Sequence, residues 1–225
     1  MSRPPLVAAL AALATIVLAP GPSVAQSGQG AQSAPTARPW AALDAARKSL
    51  TAAGPEQAHF VQTYVPAGFH SGEKETGTLA LALPDCLRWD YQDPYPKSFL
   101  VCGERAYAWN PEDGRGQQSK VDRRNQPGLD LLLLPVDELS GRYDASAEAS
   151  GPDRVAVHLA PRAGMAGRTE VTKATLVVDT GANRLVEVTY EDHEGNRTTF
   201  EISGYKALAD PRLFEPPAGI VWSDG

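Results

Sequence analysis

The chain has 225 residues, of which 42% are hydrophobic, and its formal net charge is −6. Its acidic and basic residues are interspersed and form no basic patch, which excludes a nucleic-acid partner. Without its first 38 residues about 185 remain, which is enough for one domain with a substantial core.

The N-terminus has the pattern of a secretory signal peptide. Arg3 precedes an apolar run, Leu6–Ala19, of about 14 residues, too short to span a bilayer as an anchor. Ser23-Val24-Ala25 is a small-x-small cleavage site, so we expect residues 1–25 to be removed in the periplasm. Residues 26–38 are rich in Ser, Gly, Gln and Pro, which predicts a flexible tail.

The remaining chain, residues 39–225, is expected to form one α+β domain. Apolar residues at helical spacing, with Pro39 at the start and Gly54 at the end, predict a helix over 39–53. Gly128 to Leu134 predicts a second short helix, which Pro135 should end. Alternating apolar residues predict a large antiparallel sheet that curls into a partial or full barrel. The predicted strands are 58–65, 79–83, 87–91, 98–101, 105–109, 154–160, 174–179, 184–191 and 197–203.

The only two cysteines flank one predicted hairpin. If its strands pair around the turn at Pro94, Trp89 lies opposite Phe99 and Cys86 lies opposite Cys102. An exported protein can keep such a disulfide. A metal half-site or a redox pair is disfavoured, because the sequence has no C-x-x-C motif and no histidine near either cysteine. One face of the hairpin then carries Leu87, Trp89, Phe99 and Val101, and the outer, more polar face carries Cys86, Arg88, Asp90, Ser98 and Cys102.

The other strands also have one strongly apolar face. An ordinary filled core is the simplest interpretation, but only two or three short helices are available to cover this large surface. The alternative is a cavity for an apolar ligand. The residues predicted to line this cavity are Leu79, Leu81, Leu83, Leu87, Trp89, Phe99, Val101, Leu129, Leu132, Leu133, Val155, Val157, Leu176, Val178, Val188, Tyr190 and Phe200.

Several short motifs follow one another between about Trp40 and Trp222. They are Phe60-Val61-Gln62, Gly77-Thr78-Leu79 with Pro84 after it, Leu87-Arg88-Trp89-Asp90-Tyr91, Trp109-Asn110-Pro111, Val178-Asp179, and Phe214-Glu215-Pro216-Pro217-Ala218-Gly219. Their order and spacing resemble the LolA family of lipoprotein carriers.

This resemblance implies an incomplete, strongly curved antiparallel β-barrel, with a lid of short helices over an apolar cavity. It also implies a monomeric periplasmic carrier that holds the acyl chains of lipidated proteins. Such carriers receive their cargo from an inner-membrane complex, LolCDE, and deliver it to an outer-membrane receptor, LolB.

One position departs from the family pattern. Family members carry an arginine just before the proline that matches Pro84, and this arginine holds the lid through backbone carbonyls. Here that position is Leu83, and Arg88 is predicted to lie on the opposite face. The latch is therefore either absent or rebuilt from another residue.

The sequence shows no pattern typical of an enzyme or of a cofactor site. The four histidines have no metal-ligand spacing, and there is no nucleophile elbow or nucleotide-binding glycine loop. The carboxylates at Asp90, Asp93, Glu191 and Asp192 are expected on solvated strand edges. Two alternatives to a carrier stay open: a periplasmic lipid- or glycolipid-binding module with a transport or sensing role, and a small hydrolase with an unrecognised site.

Overall fold

The structure is a computed structural model that describes residues 38–123 and 128–225, so the predicted signal peptide and residues 26–37 of the predicted tail lie outside the described residues. The described helices are α1 Pro39–Ala53, α2 Leu129–Leu133 and α3 Val136–Arg142, with a 3₁₀ turn at Pro211–Phe214. The predicted bounds of α1 are confirmed, and Gly54 ends it with a φ of 77°. Helix α2 ends at Leu133 as expected, but Pro135 then caps a further helix, α3, that was not predicted.

All described strands belong to one sheet. They are β1 Glu56–Val65, β2 Glu73–Ala82, β3 Cys86–Asp93, β4 Lys97–Cys102, β5 Arg105–Asn110, β6 Arg115–Lys120, β7 Tyr143–Ala149, β8 Arg154–Pro161, β9 Val171–Asp179, β10 Arg184–Asp192, β11 Arg197–Ala207 and β12 Val221–Asp224. Their order across the sheet is β12-β6-β5-β4-β3-β2-β1-β11-β10-β9-β8-β7. Neighbours are antiparallel except β12, which runs parallel to β6.

The predicted α+β class and the large antiparallel sheet are confirmed. Each predicted strand is present, and β6, β7 and β12 are additional. Among the described residues β7 and β12 are the two edges of the sheet, which is not closed into a barrel. The barrel is therefore incomplete.

The sheet is strongly curved. Strands β5 and β10 are six positions apart in the sheet order, so a flat sheet would place them about 29 Å apart. Nevertheless Ala106 from β5 and Val188 from β10 line the same cavity. The sheet must therefore curl around this space, and we refer to the enclosed side as the inner face.

The hydrophobic core lies between the inner face and the helices. Helix α1 buries Leu43, Ala46 and Leu50, and packs against β7–β10 and α3. The fully or nearly fully buried members of the core on the strands are Ala58, Phe60, Leu79, Leu81, Leu87, Val101, Tyr143, Val157, Leu159, Val171, Ala174, Leu176, Val178, Val188 and Ile202.

The hairpin of β3 and β4 has the predicted register. Cys86 pairs with Cys102 and Trp89 with Phe99, and the two cysteines form a disulfide. The Cys102 Sγ lies 3.5 Å from the Phe214 carbonyl oxygen. Because a disulfide sulfur carries no proton, this approach is a packing contact rather than a hydrogen bond.

The last residues of the chain, 208–225, cross the outer face of the sheet, and we call them the C-terminal strap. Arg88 donates from Nη1 to the Leu213 carbonyl oxygen at 3.0 Å. Trp222 packs over Gly116, where a Cβ atom would come within 2.4 Å of the indole ring. The strap therefore covers the outer side of the disulfide hairpin before it ends as β12.

Candidate functional site

A cavity of about 370 Å³ opens between the inner face and α2. Helix α2 and Gly128 before it form its roof, and the inner faces of the curled sheet form its floor and walls. The lining residues are Gln62, Trp89, Tyr91, Phe99, Val101, Ala106, Ser119, Lys120, Val121, Gly128, Leu129, Leu132, Val188, Tyr190 and Phe200. The volume is within the range of pockets that take small apolar ligands.

The residues predicted to line the cavity divide into two groups in the structure. Those that line it are Trp89, Phe99, Val101, Leu129, Leu132, Val188, Tyr190 and Phe200. Those that pack beneath it in the core are Leu79, Leu81, Leu87, Leu133, Val155, Val157, Leu176 and Val178. Leu83 also packs against the core, just after β2 and beside α1.

Two lining residues that sequence reasoning missed form a polar pair inside this apolar space. Tyr91 donates a short hydrogen bond from its hydroxyl to Gln62 Oε1. Its ring packs edge-on against Phe60 at 4.9 Å between centroids, an approach that depends on Gly77 between them in the sheet. Burial, then the charge of Glu75, raises the pKa of Tyr91, so the phenol stays neutral.

A charged pair from β2 and β4, the strands on either side of β3, lies beside Tyr91. Lys97 Nζ lies 2.6 Å from Glu75 Oε1 and 4.5 Å from the centroid of the Tyr91 ring. Because the two charges compensate each other, this pair adds no net charge beside Tyr91.

An arginine from α1 holds the roof of the cavity. Arg47 donates from Nη1 to the Leu132 carbonyl oxygen at 3.0 Å, and from Nη2 to the Leu131 carbonyl oxygen. These carbonyls belong to the last turn of α2, where no intrahelical partner is available. Burial lowers the pKa of Arg47 to about 10, with Asp130 acting in the opposite direction, so the side chain stays charged at neutral pH.

The contact of Arg47 with α2 bears on whether the latch missing at Leu83 is absent or rebuilt from another residue. Leu83 supplies no hydrogen bond to α2, and Arg88 lies on the outer face as predicted, where it pairs with Asp90 at 2.8 Å. Arg47 instead reaches the roof carbonyls from the adjacent helix. The hold on the roof is therefore rebuilt, and we call it the Arg47 latch.

A second polar contact ties α2 to β7. Asp130, which is 2% exposed, accepts hydrogen bonds from the Tyr143 hydroxyl at 2.6 Å and from the Leu131 backbone N–H at 2.8 Å. Burial raises the pKa of Asp130, and the hydrogen bond from Tyr143 partly opposes this effect. The short helix is thus attached at one side by Arg47 and at the other by Asp130.

Other candidate chemistry is sparse in the described part of the chain. His158 lies on the outer face, where Nδ1 is 3.0 Å from Thr175 Oγ1 and Nε2 is 3.3 Å from Glu148 Oε1. Residues 38–123 and 128–225 contain no cluster of three or more His, Cys, Asp or Glu suited to a metal ion. Within the same residues no helix is long and apolar enough to cross a membrane.

Comparison with known proteins gives one consistent family. Residues 55–216 match the family model "Outer membrane lipoprotein carrier protein LolA". A relative from Xylella fastidiosa (strain Temecula1), named outer-membrane lipoprotein carrier protein, is 29% identical over 153 residues, which cover 67% of this chain and 70% of that protein. A relative of the same name from Xanthomonas oryzae pv. oryzae is 28% identical over 170 residues, which cover 72% and 78%.

The fold is also similar to solved structures. The crystal structure of an uncharacterized conserved protein from Thermus thermophilus superimposes with a TM-score of 0.52 and 12% sequence identity. The match covers 82% of this chain and 98% of that one. At this identity the similarity shows the fold alone.

Proposed function

The chain belongs to the LolA family of outer membrane lipoprotein carrier proteins, and from this membership we propose that it is a periplasmic carrier that holds the acyl chains of lipoproteins in its cavity. The cavity between α2 and the inner face carries this proposal, since most of its lining side chains are apolar and its roof is a short helix. The residues proposed to contact acyl chains are the lining ones, with the buried leucines and valines beneath them as support.

The construction of the roof suits both capture and release. Burial of an acyl chain contributes about 0.8 kcal/mol per methylene group, so a sealed pocket would retain its cargo. Release requires a second state that binds the chain less well. Helix α2 has only five residues and is held by the hydrogen bonds of Arg47 and Asp130 and by its buried leucines, so uncovering the cavity would break those bonds and expose those side chains.

We infer the partners from the family role. A LolCDE-like inner-membrane complex would load the carrier and a LolB-like outer-membrane receptor would unload it, with the chain acting as a monomer. The proposed role needs neither catalysis nor a cofactor.

The test is binding of a synthetic triacylated lipopeptide, measured by displacement of a fluorescent apolar probe. Phe99→Asp places a charge at the cavity wall where the native ring is only 37% exposed, and we expect at least tenfold weaker binding with little loss of stability. Val221→Ser, which changes an exposed residue on β12, is the matched control. Equal binding by both variants would contradict the proposed site.

Native mass spectrometry of protein purified without detergent from its own periplasm identifies the cargo. An adduct with the mass of a lipoprotein supports the carrier role. An adduct of lipid mass alone would favour a lipid- or glycolipid-binding module instead.

A further inference from the structure

Exposed aromatic side chains gather at one end of the sheet. The large hydrophobic residues that are exposed in the described part of the chain include Tyr64 at 38%, Phe69 at 67%, Tyr95 at 75% and Phe99 at 37%. Phe69 lies in the turn between β1 and β2, and Tyr95 lies in the turn between β3 and β4. Because these antiparallel hairpins are neighbours, both turns project from the same end of the sheet.

We call these two turns, residues 66–72 and 94–96, the aromatic tips. Their sequences, PAGFHSG and PYP, contain no Asp, Glu, Lys or Arg, although 21% of the chain is charged. The first turn is held in shape, since the Phe69 N–H donates to the Pro66 carbonyl oxygen at 3.1 Å and the Ala67 N–H to Asn196 Oδ1 at 3.1 Å. The first turn is therefore braced by hydrogen bonds, and both turns present aromatic rings without formal charge.

Strands next to the aromatic tips also line the cavity. Tyr95 precedes β4, and Phe99 on that strand lines the cavity and packs edge-on against Tyr91, at 5.8 Å between ring centroids. Tyr64 stands at the matching end of β1, one position before the strand ends. Strand β4 thus begins beside the tip that bears Tyr95 and carries an aromatic ring in the cavity wall.

We propose that the aromatic tips insert into the interface of a phospholipid surface and bring the cavity mouth against it. A tyrosine such as Tyr95, whose ring carries a polar hydroxyl, favours the headgroup region of a bilayer, and the exposed apolar ring of Phe69 would be removed from water there. A specific protein interface normally involves about 20–30 residues on each side, whereas these turns are seven and three residues long. Short apolar projections therefore fit a lipid surface better than a protein one.

This inference rests on the proposed function, because an acyl chain would then reach the cavity without crossing water. The contact with the lipid should be weak and reversible, since two aromatic rings that insert only partly remove little apolar area from water. It should also be insensitive to salt, because the aromatic tips carry no formal charge.

The experiment is co-sedimentation of protein purified from the periplasm with sucrose-loaded vesicles of phosphatidylcholine. The wild type should bind, and its partition coefficient should be equal in low salt and in high salt. Phe69→Ser and Tyr95→Ser should each lower the partition coefficient about fivefold to tenfold, and the double variant should fall to background. Val221→Ser removes an equally exposed side chain, 71% exposed, and should bind as the wild type does.

Wild-type protein that stays in the supernatant would overturn the proposal. So would binding only to vesicles that carry a membrane protein, which would make the aromatic tips a protein-docking site. Lipopeptide binding in solution separates this inference from the proposed function. The tip variants should keep that binding, whereas Phe99→Asp should lose it and still reach the vesicles.

Discussion

At the scale of single residues, Arg47 is the most consequential side chain outside the cavity. It lies beside Ala46 on the apolar stripe of α1, where a charge would normally be costly. Its cost is offset because the guanidinium fits two carbonyls that the end of α2 leaves without intrahelical partners. A charged residue on a buried helical stripe was the one signal in the sequence that could have identified it.

Arg47→Met should loosen the roof. The two α2 carbonyls would lose their donor, and the loss of a buried hydrogen-bond partner costs about 1–3 kcal/mol. We expect faster hydrogen exchange in α2 and faster entry of an apolar probe. Lys48→Met, on the exposed side of the same helix, is the control. Unchanged exchange in α2 alongside a general loss of stability would mean that Arg47 is only a core residue.

Asp130 should make the stability of the protein depend on pH. Because its pKa is raised in the folded state, the folded chain binds this proton more tightly than the unfolded chain. The contribution to stability is therefore largest below the unfolded pKa of about 3.9, and falls as pH rises through the folded pKa. The surrounding ionisable groups are Tyr143, Arg142, Tyr190 and Arg47.

Asp130→Asn removes this titration. Urea unfolding at about pH 4, 5.5 and 7 should show that the variant gains stability relative to the wild type as pH rises, by about 1.4 kcal/mol for each unit by which the pKa is raised. A constant difference across this range would show that Asp130 has an ordinary pKa in the folded protein.

At the scale of elements, the strands that could be predicted from the sequence are those in which apolar and polar residues alternate. Strands β3 and β4 alternate clearly, so their register and the disulfide followed from the sequence alone. Strand β6 has the sequence RGQQSK, which lacks an apolar period, and β12 is a four-residue edge strand. These two form through backbone pairing with neighbours, which no local pattern records.

The candidate site was predictable to a similar extent. Its floor was predicted because Trp89 and Val188 lie on strands in which apolar and polar residues alternate. Tyr91 is two residues after Trp89, so the same alternation would have placed it on the same face. Gln62 was missed because a polar residue on an apolar face gives no sign of its partner. Which apolar residues line the cavity depends on the curvature of the sheet, and curvature is a property of the assembled strands.

The disulfide should stabilise the β3–β4 hairpin measurably. The bridge joins cysteines that are 16 residues apart, and a closed loop of this size is worth about 3 kcal/mol in the chain-entropy model. The double variant Cys86→Ala, Cys102→Ala should lose about this much stability in denaturant unfolding. Reductant should destabilise the wild type and leave the variant unchanged, whereas a wild type that is insensitive to reductant would argue against the bridge.

At the scale of the whole molecule, the sheet consists of two meanders, β1–β6 and β7–β11, with α2 and α3 between them in the chain. The meanders join where β1 pairs with β11. The cavity is shared between them, since Val101 comes from the first meander and Val188 from the second. Neither meander can form the site alone.

The pairing of β1 with β11 also has a consequence for how the protein is made. Glu56 pairs with Ala207 and Val65 with Arg197, so each partner arrives well over a hundred residues later during synthesis and export. Until then β1 has an open edge, which is a template for association with other chains. We expect a chain that ends before β11 to self-associate in analytical ultracentrifugation, and a monomeric truncated chain would contradict this. An incomplete chain therefore keeps this edge open until β11 is added, and β11 protects a strand made near the start of the domain.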